Sequence, residues 1–170
     1  MDLKKFIRDI PDFPKPGILF RDITTLLNDK KTFRQAVNSL AEKIKGKKID
    51  KIIAVEARGF MFGAALAYKI GAGFVPVRKK GKLPWKTASV TYDLEYGTDT
   101  LFMHEDAILP KERVLIVDDL LATGGTAQAV TKLVTNAQGT IVGILFLVEL
   151  LGLNGKEKLK GYPVFSIIKY

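Results

Sequence analysis

Two adjacent carboxylates, Asp118 and Asp119, stand between an aliphatic run, Val114-Leu115-Ile116-Val117, and a small polar segment, Ala122-Thr123-Gly124-Gly125-Thr126. Carboxylates accept hydrogen bonds and repel a phosphate set directly against them, so the partners they suit are neutral hydroxyls such as the diol of a ribose. The segment that follows suits an anion instead. Gly124 and Gly125 lack Cβ atoms, so backbone amides there can approach an oxyanion closely, and Thr123 and Thr126 add hydroxyl donors. Apolar residues at helical spacing come next (Ala127, Val130, Val134, Ala137), which puts the turn at a helix start, where unpaired N–H groups and the positive dipole end favour negative charge. Acids at a strand end, then a phosphate turn, then a helix is the chemistry of a phosphorylated sugar site. An acidic helix cap would account for one Asp and one Gly, but not for two of each with flanking threonines. Other phosphate loops fit less well: no lysine follows these glycines as in the Walker pattern, and Gly71-Ala72-Gly73 runs into Phe74-Val75-Pro76 without the rest of a dinucleotide fingerprint.

A second anion-binding candidate is Glu56-Ala57-Arg58-Gly59, which leaves the apolar run 51–55. Arginine suits phosphate oxygens because its planar fork donates two hydrogen bonds and keeps its charge. The plain alternative is an Arg–Glu surface pair beside a helix start. A basic cluster, Arg78-Lys79-Lys80-Gly81-Lys82, offers further cations, of which Lys79 and then Lys82 are the first choices for an anion contact. The carboxylate of Glu95, in Leu94-Glu95-Tyr96-Gly97, reads without further context as an exposed acid on a loop.

The elements that must hold these groups follow from periodicity. Residues 3–10 predict a short helix, ended by Pro11 and the Pro14–Gly17 turn, and Ile18-Leu19-Phe20 is short and apolar; together they read as a hood over a core. Phe33, Val37, Leu40, Ala41 and Ile44 recur at helical spacing, 51–55 reads as a strand, and helical spacing resumes from Gly59 through Tyr68. A strand is expected at 73–77. Residues 78–99 mix basic, Gly, Pro, Trp and polar residues without a sustained period and read as a long, flexible lid loop, with a possible strand of its own at 87–92. A strand at 113–118, a helix at 126–137 and strands at 140–148 and 163–168 complete an alternating α/β order, which implies a mostly parallel central sheet flanked by helices in a single domain spanning 1–170, with hood 1–30 and lid 78–99.

Composition bounds the function. The longest aliphatic and aromatic stretch, 141–148, is far too short to cross a bilayer, and the N-terminal residues mix charges with apolar side chains without a cleavage site, so no membrane partner and a cytoplasmic location are expected. With no cysteine and one histidine, His104, neither a Cys-based zinc site nor a multi-His metal cluster can form. His104 and Trp85 read as surface or packing residues, and no nucleophile-elbow motif accompanies the histidine. The formal charge of +9 is spread over several lysine clusters, and it would steer a small polyanion toward the molecule.

The acid pair and its Thr/Gly turn resemble the signature of the phosphoribosyltransferases. Phe13-Pro14-Lys15-Pro16-Gly17-Ile18-Leu19-Phe20-Arg21-Asp22, Glu56-Ala57-Arg58-Gly59-Phe60, the 78–84 segment and Tyr92-Asp93-Leu94-Glu95-Tyr96-Gly97 extend the resemblance, in order, to the adenine-specific members of that family. The resemblance implies a type I phosphoribosyltransferase fold and transfer of the phosphoribosyl group of 5-phosphoribosyl 1-pyrophosphate to adenine, giving AMP and pyrophosphate in purine salvage. It further implies Mg²⁺ held mainly by substrate oxygens, and a homodimer. Carried over by motif, Asp118 and Asp119 face the ribose hydroxyls, and Ala122, Thr123, Gly124, Gly125 and Thr126 bind the 5-phosphate. Ala57, Arg58, Lys79 and Lys82 meet the pyrophosphate, with Arg58 also counted as catalytic. Phe20 stacks on adenine while the main chain of Leu19 and Arg21 reads its edge. Glu95 manages the proton of the attacking base, and Tyr96 helps to close the lid against water.

Two alternatives remain open at this point. One is a nucleic-acid-binding regulator that keeps the fold as a sensor; regulators of that kind prepend a DNA-binding domain, whereas here barely fifty residues precede the first core strand, so no nucleic acid is expected. A steep salt-dependent DNA affinity would revive it. The other is a sister enzyme that uses hypoxanthine or xanthine.

Overall fold

The computed structural model describes residues 1–93 and 97–170. A 3-10 helix (Leu3–Phe6) leads into β1 (Arg8–Ile10), which pairs antiparallel with β2 (Phe20–Asp22) as a small separate sheet. The predicted helix over 3–10 therefore ends at Phe6. The remainder is strand because it has a partner in β2, a non-local pairing invisible to local periodicity.

Helices α1 (Thr24–Asn28) and α2 (Lys30–Lys43) follow, the latter capped by the Asp29 carboxylate, which accepts from the N–H groups of Lys31 and Thr32. Then come β3 (Lys51–Val55), α3 (Arg58–Ile70) and β4 (Gly73–Val77), and after them a hairpin of β5 (Thr87–Asp93) and β6 (Thr98–His104). The chain closes with β7 (Arg113–Leu121), α4 (Gly125–Asn136), β8 (Thr140–Glu149), two 3-10 helices (Leu151–Leu153 and Gly155–Leu159) and β9 (Val164–Lys169).

The central sheet is parallel throughout, in the order β4-β3-β7-β8-β9. Its strands alternate between two cores. Ile52, Leu115, Val117, Leu145 and Leu147 face one core with α2, α3 and the hood anchors Leu3, Ile7, Ile23 and Leu26. Ile53, Val55, Val114, Ile116, Ile144 and Phe146 face the other with α4 and with Leu101 and Met103 of the hairpin. Burial on both faces explains why these strands read as unbroken aliphatic runs. The fully buried Phe62, Leu66 and Phe146 each contribute roughly 1.5–3 kcal/mol relative to exposure.

Chain direction sets the site. From β3 the chain crosses through α3 to β4 on one side, while β7, reached later, lies on the other side of β3. The carboxyl ends of β3 and β7 therefore flank a topological switch point, the crevice in which open α/β sheets hold their ligands.

Candidate functional site

The loops leaving β3 and β7 enclose a cleft of about 280 Å³. It is lined by Glu56, Ala57 and Arg58 from the first loop, Lys79 and Tyr92 from the hairpin side, and residues 118–127 from the second. Two long helices begin in this cleft, α3 after Ala57 and α4 after Gly124, and neither has a side-chain cap at its N-terminus. The first N–H groups of both helices therefore remain available to anions at two points of one cavity. Asp118 and Asp119 lie between them. They are the continuation of β7 itself, which runs on to Leu121, where a strand end at Asp118 was expected. The extra residues stay extended because they pair with β8, Asp118 opposite Phe146 and Leu121 opposite Glu149.

The acid pair is largely withdrawn from solvent beside the Arg58 cation. Asp119 is 5% exposed, its N–H donates to Asp118 Oδ1 at 2.9 Å, and its Oδ2 lies 3.0 Å from Arg58 Nε. That approach is too poorly aligned for a hydrogen bond, so Oδ2 is a buried acceptor without a donor. Burial and the neighbouring Asp119 charge push the Asp118 carboxyl well above the usual range. Burial raises Asp119 as well, with the Arg58 guanidinium opposing it. A pair of this kind gains from hydroxyl donors that relieve both the charge and the orphaned oxygen. A Cβ on Gly59 would sit 2.7 Å from Asp118 Oδ1, which explains the glycine beside Arg58.

The phosphate-type turn is fixed from behind. Gly124 has φ of +82°, and a Cβ there would meet Gly155 O at 2.3 Å; a Cβ on Gly155 would meet Ala122 O at 2.2 Å. The turn and the start of the 3-10 helix Gly155–Leu159 thus pack backbone against backbone.

A polar chain closes the remaining side. Glu56 accepts from Lys79 N–H at 2.6 Å and from Arg78 Nη2 at 3.1 Å. Burial pushes the Glu56 carboxyl up, but those donors outweigh it and leave it below its ordinary value. The Lys79 ammonium pairs with Asp99 of β6, and this contact raises its pKa. Tyr92 Oη lies 3.4 Å from Asp99 Oδ2 and 3.3 Å from Thr126 Oγ1, so one hydroxyl spans from the Lys79 pair to the turn.

Of the residues singled out by sequence, Ala57, Arg58, Lys79, Asp118, Asp119 and 122–126 come together in the cleft. Lys82 is outside its lining; its carbonyl accepts from Arg78 Nη1 at 3.3 Å. Leu19, Phe20 and Arg21 also lie outside the lining, on and beside β2, yet Phe20 is linked to it, because the Arg58 guanidinium sits 5.3 Å from its ring centroid. The edge of Phe13 covers Phe20 at 5.0 Å. Glu95 and Tyr96 lie outside the described residues. The Arg–Glu surface pair posed for the 56–59 loop does not form, since Arg58 approaches Asp119 while Glu56 pairs with Arg78. His104 packs against Trp85 with ring centroids 6.3 Å apart. Sequence reasoning passed over Tyr92, Asp99 and Gly155. Tyr92 carried a signal, since it opens a motif already singled out, whereas Gly155 carried none.

Among the described residues no three His, Cys, Asp or Glu side chains converge as a metal cage. The donor set fits a divalent cation only in part: the two carboxylates could supply a few oxygens, and a bound polyphosphate would have to supply the rest.

The phosphoribosyl transferase domain model matches residues 24–169. An adenine phosphoribosyltransferase of Brachyspira hyodysenteriae is 60% identical over 170 residues, covering all of both chains. The crystal structure of adenine phosphoribosyltransferase from Thermoanaerobacter pseudethanolicus superposes with a TM-score of 0.97 at 56% identity, covering 99% of this chain and 98% of that one. The Saccharomyces cerevisiae enzyme, solved with adenine and an imino-altritol bisphosphate, superposes at 0.92 with 40% identity, covering 98% and 96%.

Proposed function

The chain belongs to the phosphoribosyltransferase family, and we propose that it transfers the phosphoribosyl group of 5-phosphoribosyl 1-pyrophosphate to adenine, giving AMP and pyrophosphate. It is a pentosyltransferase of purine salvage, as its full-length relatives are. The observation that carries the reading is the sequence of groups across one cleft: an uncapped helix start, a carboxylate pair, a second uncapped helix start with an arginine. That order matches phosphate, ribose diol and pyrophosphate.

In this reading the 5-phosphate sits on the 122–126 turn, and the ribose hydroxyls donate to Asp118 and Asp119. Pyrophosphate meets Ala57 N–H, Arg58 and Lys79, with Lys82 as a further cation. Adenine lies against Phe20, its edge read by the main chain of Leu19 and Arg21. As the bond from the anomeric carbon to pyrophosphate lengthens, positive charge develops on the sugar and negative charge on the leaving oxygens. The carboxylate pair stands beside the first, and Arg58 with the α3 N-terminus beside the second. Mg²⁺, bound mainly through substrate oxygens, would neutralise part of the polyanion's charge. Glu95 accepts or shares the imidazole proton of adenine, and Tyr96 helps to exclude water that would otherwise trap the sugar cation.

We assign the molecule to the cytoplasm as a homodimer. No helix among the described residues is long and apolar enough to cross a membrane, and Met61 and Tyr68, seven residues apart on one face of α3, are exposed apolar side chains that suit a subunit contact. Sedimentation velocity tests the dimer, a monomer at micromolar concentration being the refuting result.

The activity is tested by supplying the purified protein with 5-phosphoribosyl 1-pyrophosphate, Mg²⁺ and, separately, adenine, hypoxanthine, guanine and xanthine. AMP from adenine alone is expected. Turnover confined to an oxopurine would overturn the assignment around Phe20, and no turnover with any base would overturn the enzymatic reading.

A further inference from the structure

The base-reading strand β2 shares no hydrogen-bonded ladder with the central sheet, so something else must set its aim. Apolar anchors hold the hood down: Leu3, Ile7, Ile23 and Leu26 are buried in the core shared with α2 and α3. Non-directional contacts of this kind fix attachment better than orientation. Besides the Arg58 guanidinium over Phe20, a directional contact with the core is made at Tyr170. Tyr170 is fastened to the end of β8 on both sides of its own backbone: its N–H donates to Glu149 O at 3.0 Å, and its carbonyl accepts from Leu151 N–H at 2.8 Å. From that mount its ring lies 3.7 Å, centroid to guanidinium carbon, from Arg21.

Arg21 is therefore held from two directions. Asp9 on β1 pairs with it from within the hood, and Tyr170 holds it from the core. Its side chain is only 16% exposed, so the charge sits partly desolvated, the setting in which a cation over an aromatic face is strongest. Lys4 adds a second cation 4.2 Å from the same ring, and its ammonium donates to Lys169 O at 3.0 Å, which ties the 3-10 helix Leu3–Phe6 to the same mount.

We propose that Tyr170 is a positioning residue for base recognition, its ring holding Arg21 and hence the Leu19–Arg21 main chain in register with the sugar site. The inference rests on the assignment of adenine to Phe20 and its neighbours. Tyr170 touches neither substrate nor the reacting atoms; it acts through Arg21. Because the apolar anchors remain, its loss should leave the hood attached but poorly aimed, which separates adenine affinity from the handling of the sugar substrate.

The test is initial-rate kinetics on Tyr170→Ala and Tyr170→Phe, with Phe20→Ala as the control and thermal unfolding alongside. Tyr170→Ala should raise KM for adenine roughly 3- to 30-fold, the range expected for losing a partly buried cation–π contact, while KM for 5-phosphoribosyl 1-pyrophosphate stays within about twofold. Tyr170→Phe keeps the ring and should restore the wild-type adenine KM. If Tyr170→Ala does not fold, Arg21→Gln removes the cation from the other side and should give the same split. An unchanged adenine KM in folded Tyr170→Ala, or failure of the phenylalanine variant to rescue it, overturns the proposal. An unchanged adenine KM in Phe20→Ala would instead overturn the base-site assignment beneath it.

Discussion

Replacing Gly155 by alanine isolates the contribution of the turn's support from every other effect. Gly155 is not among the residues with positive φ, so alanine brings no backbone strain of its own. What it brings is a methyl carbon 2.2 Å from Ala122 O, 3.1 Å from Ala122 C and 2.9 Å from Leu121 Cδ1. The first two are backbone atoms and cannot swing aside. Restoring ordinary contact requires roughly 1 Å of relative movement between the 3-10 helix and the turn. Neither side is tied by a ladder, since the pairing with β8 ends at Leu121 and the 3-10 helix Gly155–Leu159 is in no sheet, so the turn shares in the movement. A shift of about 1 Å in groups that orient a reacting substrate can cost on the order of 100-fold in rate, while overpacking typically costs about 1–3 kcal/mol of stability. We expect Gly155→Ala to remain folded, to raise KM for 5-phosphoribosyl 1-pyrophosphate at least about tenfold, and to leave KM for adenine near wild type, since β2 lies elsewhere. Initial rates with each substrate varied in turn, beside thermal unfolding, give the answer. A folded variant whose KM for the sugar substrate stays within about twofold of wild type would refute the idea that the turn's position matters at this scale.

Asp118→Asn should lower turnover by about 100-fold or more yet raise the thermal midpoint at pH 7. A carboxyl whose folded pKa lies above its unfolded value withdraws stability as pH rises above that unfolded value, a cost that Asn does not carry. The gain should vanish below about pH 4, and a variant no more stable than wild type at pH 7 contradicts the strained state of the pair. Asp22 has the opposite sign. Its carboxylate accepts from Thr24 N–H at 2.9 Å, Thr24 Oγ1 at 2.8 Å and Arg8 Nη2 at 2.6 Å, donors that hold its pKa below the ordinary value. Its stabilisation is present above the unfolded pKa and lost as pH falls through the folded one, so Asp22→Asn should lower the midpoint equally from pH 5 to 8, with the difference closing below about pH 4; a difference that varies across neutral pH would refute this. For Glu95→Gln we expect kcat to fall roughly 10²- to 10⁴-fold with both KM values little changed, and an unchanged kcat would return Glu95 to an ordinary loop acid.

The central sheet was legible because parallel strands buried on both faces read as near-continuous apolar runs, as in 52–55 and 141–148. The turn was legible because its chemistry is local: acids, threonines and glycines adjacent in sequence are adjacent in space. What escaped was non-local. β1 is three residues, two of them exposed, and exists only through β2. β6 runs three polar residues into three apolar ones, with no alternation to mark it as a strand, and is held by its pairing with β5. The last residues of β7 looked like a loop because carboxylates are poor strand formers, but the ladder to β8 overrides that preference. Gly155 looks like any surface glycine until the fold brings it beneath Ala122.

The described strands form three sheets that share no ladder: the hood, the parallel sheet and the hairpin. In engineering terms they are separable parts with different specifications. In the proposed reading the parallel sheet sets the anion and diol geometry, and its strands are packed between two cores. In the same reading the hood meets the acceptor through a few side chains and one strand, and it lies almost wholly before residue 24, where the match to the family model begins. On that proposal, changing which acceptor the molecule takes is therefore a problem centred on residues 1–23, with Glu95 and the Tyr170 support as its outlying parts, while the donor machinery is inherited intact.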